Sequence, residues 1–289
     1  MEHRTSVALG SFDGLHRGHR NVLQNALSSA DGGLLPYVLL FDVHPQTVLH
    51  GETPPLLLTA QHRDDLLRRM GFSMHTVSFA AIHEMEPEQF VREILCDAMH
   101  AGAVSCGYNY RFGKNGSGDA QRLQALCAPW GIRVCVSEPV RFAGKPISST
   151  RIRRAVESGE IADANAMLGR SFSFTAQVLH GNARGRELGF PTINQKLPRG
   201  LVVPKFGVYA SEVCVDGKMY RGITNIGVRP TIPDTAVISE TNILDFSGDL
   251  YGETLTVSLT RFIRPERKFT DLEAVFTQVR KDIKTAYGQ

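Results

Sequence analysis

An α/β domain on a mostly parallel sheet, followed by a smaller antiparallel β domain, sheet or barrel, that closes on a helix, is the fold predicted by this 289-residue chain. Three observations carry that expectation. Short apolar runs alternate with helical patterns through the first half, the order produced by βαβ units. From Ser171 the texture changes to short segments of period two separated by turns. Asp271 to Tyr287 then keeps Leu272, Val275, Phe276, Val279, Ile283 and Ala286 on one face, as a helix lying on a β layer does. The length allows two domains with a core each, and the change of texture divides them into 1–170 and 171–289.

The elements follow in order. Ser6 to Leu9 reads as a buried strand, and Asn21 to Ala30 as a helix with Val22, Leu23, Ala26 and Leu27 at helical spacing. Pro36 to Asp42 is a continuous apolar run, suited to a strand covered on both faces. Gln61 to Met70 predicts a surface helix stopped by Gly71, and Thr76 to Phe79 a third strand. Pro87 to Ala101 is helical, with proline in its first turn. Ala103 to Cys106 leads into the polar loop Gly107 to Lys114, Asp119 to Trp130 gives another helix, and Ile132 to Val136 another strand. Helical stretches around 151–154 and 157–168 precede the seam, and Phe172 to Val178 and Val208 to Val215 are strands of the second half.

Composition narrows the function. Hydrophobic residues make up 42% and charged residues 21%, the balance of a soluble globular protein. A net charge of +3 with no basic block gives no support to nucleic-acid binding, yet suits small anionic substrates. Five cysteines, odd in number and widely spaced, read as reduced core residues. Met1 to Arg4 leads straight into the first strand, and no apolar run is long enough for a signal peptide or membrane span, so a cytoplasmic protein is expected. No pattern in the chain fixes an oligomeric state.

The most informative stretch is Gly10-Ser11-Phe12-Asp13-Gly14-Leu15-His16-Arg17-Gly18-His19, a glycine-rich turn between the first strand and helix. Such a turn aims free N–H groups and the positive end of a helix dipole at one small volume, which suits a phosphate. Glycines 10, 14 and 18 let backbone approach a ligand. His16 and His19, three apart, share a side. A pair so placed can cap or pack, form half of a metal site, or donate to phosphate; no Cys or carboxylate at ligand spacing accompanies it. Later, Ile147-Ser148-Ser149-Thr150-Arg151-Ile152-Arg153 puts hydroxyls before a basic helix, either an N-cap with a solvated face or a second phosphate clamp.

The pattern G-x-F-D-G-x-H-x-G-H resembles the HxGH nucleotidyltransferase superfamily, in the form seen in bacterial FAD synthetases. I-S-S-T-x-I-R, F-D-x-H-P and G-Y-N-x-x-F-G resemble further segments of that family. The resemblance implies a Rossmann-like nucleotidyltransferase domain in which His16 and His19 contact the ATP phosphates. It gives Gly10, Phe12, Asp13, Gly18 and Asn109 to the nucleotide, Ser149, Thr150 and Arg153 to the triphosphate, and Phe41, His44 and Pro45 to the flavin side of the cleft. Val43 stands where the family more often has proline.

In the second half, Gly181, Gly185 and Gly189 precede Phe190-Pro191-Thr192-Ile193-Asn194. The glycines alone fit loop punctuation, but the Thr192 hydroxyl and Asn194 amide oxygen are hard donors suited to Mg²⁺ beside a phosphate loop. The run resembles the riboflavin kinase signature, with Ile193 in place of the usual alanine. Segments 222–231 and 240–252 match that family in order, and Glu240 stands where its catalytic base stands. Over nearly its whole length the chain resembles the bifunctional prokaryotic riboflavin kinase/FAD synthetase family. That implies ATP, riboflavin, FMN and FAD as substrates and products, Mg²⁺ as cofactor, and Arg153 and Glu240 beside the histidines in catalysis. The alternative is one retained activity, the other domain serving as a flavin- or nucleotide-binding module.

Overall fold

Apolar runs too short for a helix and bounded by turn residues form the first sheet of the computed structural model, which describes residues 4–179, 192–228, 236–267, 269 and 271–288. The order through the first half is β1 (Thr5–Leu9), α1 (Arg17–Ala30), β2 (Leu35–Phe41), α2 (Pro45–His50), α3 (Ala60–Arg69), β3 (Ser73–Val77) and α4 (Phe79–Ile82). Next come α5, which starts at Pro87–Gln89 and is wound as a π-helix over Phe90–Ala98, then β4 (Ala101–Gly107), α6 (Ala120–Cys127) and β5 (Arg133–Ser137). A two-stranded ribbon, β6 (Arg141–Phe142) and β7 (Lys145–Pro146), follows.

Strands β1 to β5 form a parallel sheet in the order β3-β2-β1-β4-β5. Alternation along β1 sends Ser6 to one face, where its hydroxyl donates to the Ala26 carbonyl of α1 at 2.7 Å. Val7 and Leu9 go to the other, where they join Val104, Phe90, Leu95 and Leu123 in the core under α5 and α6. Strand order reverses beside β1, so the carboxyl ends of β1, β2 and β4 border the crevice where ligands gather in such sheets.

The second half begins with α7 (Ser149–Ser158) and α8 (Ile161–Leu168), followed by β8 (Phe172–Leu179), β9 (Thr192–Lys196), β10 (Gly207–Val215), β11 (Lys218–Val228), β12 (Val237–Ile243), β13 (Thr254–Arg264) and α9 (Leu272–Tyr287). The six strands close into an antiparallel barrel in the order β10-β11-β12-β9-β8-β13. Closure leaves no open edge and resolves the choice between sheet and barrel. Tyr209, Phe172, Phe174, Val257 and Leu259 are buried in it.

Cα packing divides the chain into one unit of residues up to Pro54 with Ala60–Ser149, and another of Pro55–Thr59 with Thr150 onward. This seam falls earlier than the change of texture near 170. The reason lies in α7 and α8, whose Ile152, Val156, Ile161 and Leu168 are buried. Asn165 of α8 donates to the Leu259 carbonyl of β13 at 2.9 Å and accepts from the Phe172 amide at 2.7 Å. Leu56 bridges into the same unit through its amide to the Gly200 carbonyl, 2.7 Å.

All five cysteines are unpaired, but only Cys106 and Cys127 are buried; Cys214 is exposed, which corrects the expectation of five core residues. No helix of the described residues is long and apolar enough to cross a membrane.

Candidate active sites

β1 runs into a turn whose backbone is strained in sequence: Phe12, Gly14 and Leu15 all have positive φ, 52°, 83° and 42°. Two of these are not glycine, and such conformations persist only where surroundings enforce them. Phe12 and Leu15 are almost fully buried and act as that enforcement. The glycines have more local tasks than expected. A Cβ on Gly10 would meet the Phe12 ring at 3.2 Å, and one on Gly18 would meet Cε1 and Nδ1 of His16 at 3.1 and 3.2 Å. They make room for neighbours within the turn.

His16 is the N-cap of α1, not a member of its first turn; its Nδ1 accepts from the His19 amide at 3.2 Å. A neutral imidazole that accepts at Nδ1 carries its proton at Nε2. The His16 and His19 rings stack, with centroids 3.7 Å apart and an interplanar angle of 13°, while Phe12 meets His19 edge-on at 5.4 Å. His19 Nδ1 is buried and lacks a hydrogen-bond partner among the described residues. Burial, and then the neighbouring His16, hold the His19 imidazole well below its ordinary pKa. The His19 imidazole, stacked on His16 at the positive end of a helix, is therefore held in its neutral form by the fold.

The neighbouring strand ends supply the rest. His44 repeats the arrangement of His16: it caps α2, with Nδ1 accepting from Gln46 N at 3.2 Å and Pro45 at the first helical position. Phe41, half-buried at the end of β2, packs edge-on against Phe79 at 5.1 Å. Asp42, a residue the sequence reading did not single out, shapes this loop. Its Oδ1 accepts from Val43 N at 2.8 Å and Phe79 N at 3.0 Å, and the Phe79 amide above all holds the carboxyl below its usual range. Asn109 is exposed beyond β4, in a loop pinned by Tyr108 N to the Ser137 carbonyl at 3.0 Å. Ser149, the last residue of the first unit, donates from Oγ to the Asp13 carbonyl of the histidine turn at 3.0 Å. Thr150 is exposed, and Arg153, in the second unit, donates from Nε to the Pro55 carbonyl at 2.6 Å.

In the barrel, β12 lies between β9 and β11, and register decides what faces what. Glu240 is directly opposite Asn194 on one side and Asn225 on the other, and Thr192 is opposite Asn242. Opposed residues on one face have Cβ atoms about 5 Å apart. Thr192, Asn194, Glu240, Asn242 and Asn225 therefore share a face by the period of two. On the other face of the same strands Thr224 Oγ1 lies 2.8 Å from both Thr241 Oγ1 and Ser211 Oγ, a buried hydroxyl lattice that holds the three strands in register. Gly181, Gly185 and Gly189 lie outside the described residues. Asn225, and Glu266 which accepts from it at 3.1 Å, were not among the expected site residues; alternation along β11 and the register with Glu240 mark Asn225.

Comparison with known proteins gives matches along the whole chain. Residues 1–151 match the family model described as FAD synthetase, and residues 168–288 the one described as riboflavin kinase. The bifunctional riboflavin kinase/FMN adenylyltransferase of Listeria monocytogenes is 36% identical over 282 residues, 96% of this chain and 89% of that protein. The protein of the same name from Pseudomonas fluorescens is 34% identical over 296 residues, 99% of this chain and 93% of that protein. A crystal structure titled as a macrolide-efflux protein from Streptococcus pneumoniae superposes with a TM-score of 0.90 at 30% identity, covering 100% of this chain and 95% of that one.

Proposed function

The chain belongs to the bifunctional riboflavin kinase/FMN adenylyltransferase family, and from that premise we propose how its residues divide the two reactions. Riboflavin and ATP give FMN and ADP on the barrel; FMN and ATP give FAD and pyrophosphate on the parallel-sheet unit. The observation that supports the reading is the presence of two unlike polar constructions in one chain, a stacked imidazole turn and a carboxylate in register between two carboxamides.

The two reactions need different help. Riboflavin presents a primary alcohol whose proton must leave as its oxygen attacks the γ-phosphoryl group, and Glu240 takes that proton. The FMN phosphate is already a nucleophile, so the first unit needs no base. It needs donors aimed at charge growing on the α-phosphoryl group and pyrophosphate. His16 Nε2–H and His19 serve there with Gly10, Phe12, Asp13, Gly18 and Asn109 around the nucleotide. Ser149, Thr150 and Arg153 go to the triphosphate, and Phe41, His44 and Pro45 to the flavin. The catalytic domains are taken as 1–170 and 171–289, a division that keeps α7 and α8 with the transferase in sequence although they pack with the barrel.

The donor set on the barrel fits Mg²⁺. No group of three His, Cys, Asp or Glu suited to a metal occurs among the described residues. An octahedral ion that keeps waters and takes substrate phosphates needs only one or two protein oxygens. Thr192 Oγ1 and Asn194 Oδ1, two apart on one face, would supply them, and Mg²⁺ when bound neutralises phosphate charge. A cytoplasmic location, where ATP is supplied, agrees with this reading.

The test is product separation after purified protein meets riboflavin, ATP and Mg²⁺. FMN should form first and FAD follow. Unchanged riboflavin would refute the kinase assignment, and FMN that never becomes FAD would leave the first unit a binding module.

A further inference from the structure

We infer that Glu266, in the segment after β13, is a positioning residue for the kinase step: it fixes the side-chain amide of Asn225, which stands in register beside Glu240. The inference rests on the reading of Glu240 as the proton acceptor. Glu240 stands in register between two carboxamides, Asn194 and Asn225. One of these neighbours is already engaged elsewhere, because Asn225 Nδ2 donates to Glu266 Oε1 at 3.1 Å. That bond also fixes which end of the Asn225 amide faces which way.

The backbone makes room for this contact. Gly227 lies two residues beyond Asn225 on the same strand and face. A Cβ there would overlap the Glu266 carboxylate, falling 2.8 Å from its Cδ. Gly227 is not among the residues with positive φ, so its backbone suits alanine, and the three nearest atoms a methyl group there would meet all belong to the Glu266 carboxylate, which would have to move away. The glycine and the glutamate thus form one device, and removing either half should have the same effect.

The experiment measures kcat and the riboflavin KM for FMN formation in the full chain and in Glu266→Ala, Glu266→Gln, Gly227→Ala and the Gly227→Ala/Glu266→Ala double variant. Thermal melting accompanies each. Glu266→Ala should lower kcat about tenfold, the loss of one positioning hydrogen bond, with KM within about twofold. Glu266→Gln still offers an oxygen to Asn225 and should recover most of kcat. Gly227→Ala should match Glu266→Ala, and the double variant should be no worse than either, since both remove one contact. Additive losses, a change confined to KM, or a Gln variant as poor as Ala would overturn the assignment. Failure of the unaltered chain to form FMN would instead overturn the kinase reading beneath it.

Discussion

At the scale of single residues, the imidazole pair shows why identity and spacing were legible but chemical state was not. The motif named His16 and His19, yet only the capping bond from the His19 amide reveals that His16 is committed to the Nε2–H tautomer. Asparagine is among the best N-caps and ends short of the reach of an imidazole Nε2. His16→Ala should therefore cost about 1 kcal/mol of stability and FAD formation together, whereas His16→Asn should restore the stability but not the activity. Chemical unfolding beside an FMN-to-FAD assay separates the two; recovery of both by asparagine would remove the Nε2 donor from the mechanism. His19 makes a different prediction. Its imidazole binds a proton in the unfolded chain below about pH 6.5 but resists one in the folded chain, so the unfolded state binds more protons there and stability falls as pH falls. Melting temperature without ligand should drop through that window, and His19→Ala should flatten the drop, retain the fold and lose FAD formation, roughly a hundredfold for one lost donor. A melting profile unchanged by the substitution would mean the ring is not held neutral by the fold.

Elements with a clear period were readable, and those made by caps and strain were not. β1, β2, β4, α1 and α6 are long enough for alternation or helical spacing to register, and they formed within a few residues of expectation. The short helices α2 and α4 have no such period. α2 exists because His44 caps it and Pro45 starts it, and α4 begins where the Phe79 amide meets Asp42. The winding of Phe90–Ala98 as a π-helix was equally invisible, since its apolar face suits ordinary helical spacing as well. In the histidine turn the glycines were legible as glycines, but their purpose was visible only in three dimensions. Gly18→Ala would press a methyl group against the His16 ring. It should break the cap, lower stability by about 1 kcal/mol and abolish FAD formation, while FMN formation continues. Activity near the unaltered level in that variant would show that the ring can shift without consequence.

For the molecule as a whole, the change of texture near 170 announced two architectures, but packing cuts elsewhere because α7 and α8 carry apolar faces that the barrel uses. The closing helix was predicted from its apolar face, and Val275, Val279 and Ile283 are half-buried as that face requires. Its most buried described side chain is nevertheless Asp282, 2% exposed, which a hydrophobic pattern counts as surface. Arg264 of β13 reaches it with two guanidinium nitrogens, Nε at 2.9 and 3.1 Å from its two oxygens and Nη2 at 2.8 Å, and Gln278 Nε2 also donates to it at 2.8 Å. Asp282→Ala should cost about 3 kcal/mol by leaving that guanidinium unpaired; urea unfolding followed by FMN formation measures it, and a loss below half of that would deny the pair its role in holding α9. The two reactions are linked in series by FMN, the product of the kinase step and a substrate of the adenylyl transfer. In the proposed division each group that acts on a reacting atom serves one step alone: Glu240 the alcohol, His19 the α-phosphoryl group. Glu240→Gln should therefore accumulate riboflavin yet convert added FMN, and His19→Ala should stop at FMN. Neither variant alone should turn riboflavin into FAD, and an equal mixture should do so after a lag, because FMN released by one chain is substrate for the other. A mixture that makes FMN but no FAD, while Glu240→Gln still adenylylates FMN supplied directly, would mean that FMN made on one chain does not reach another.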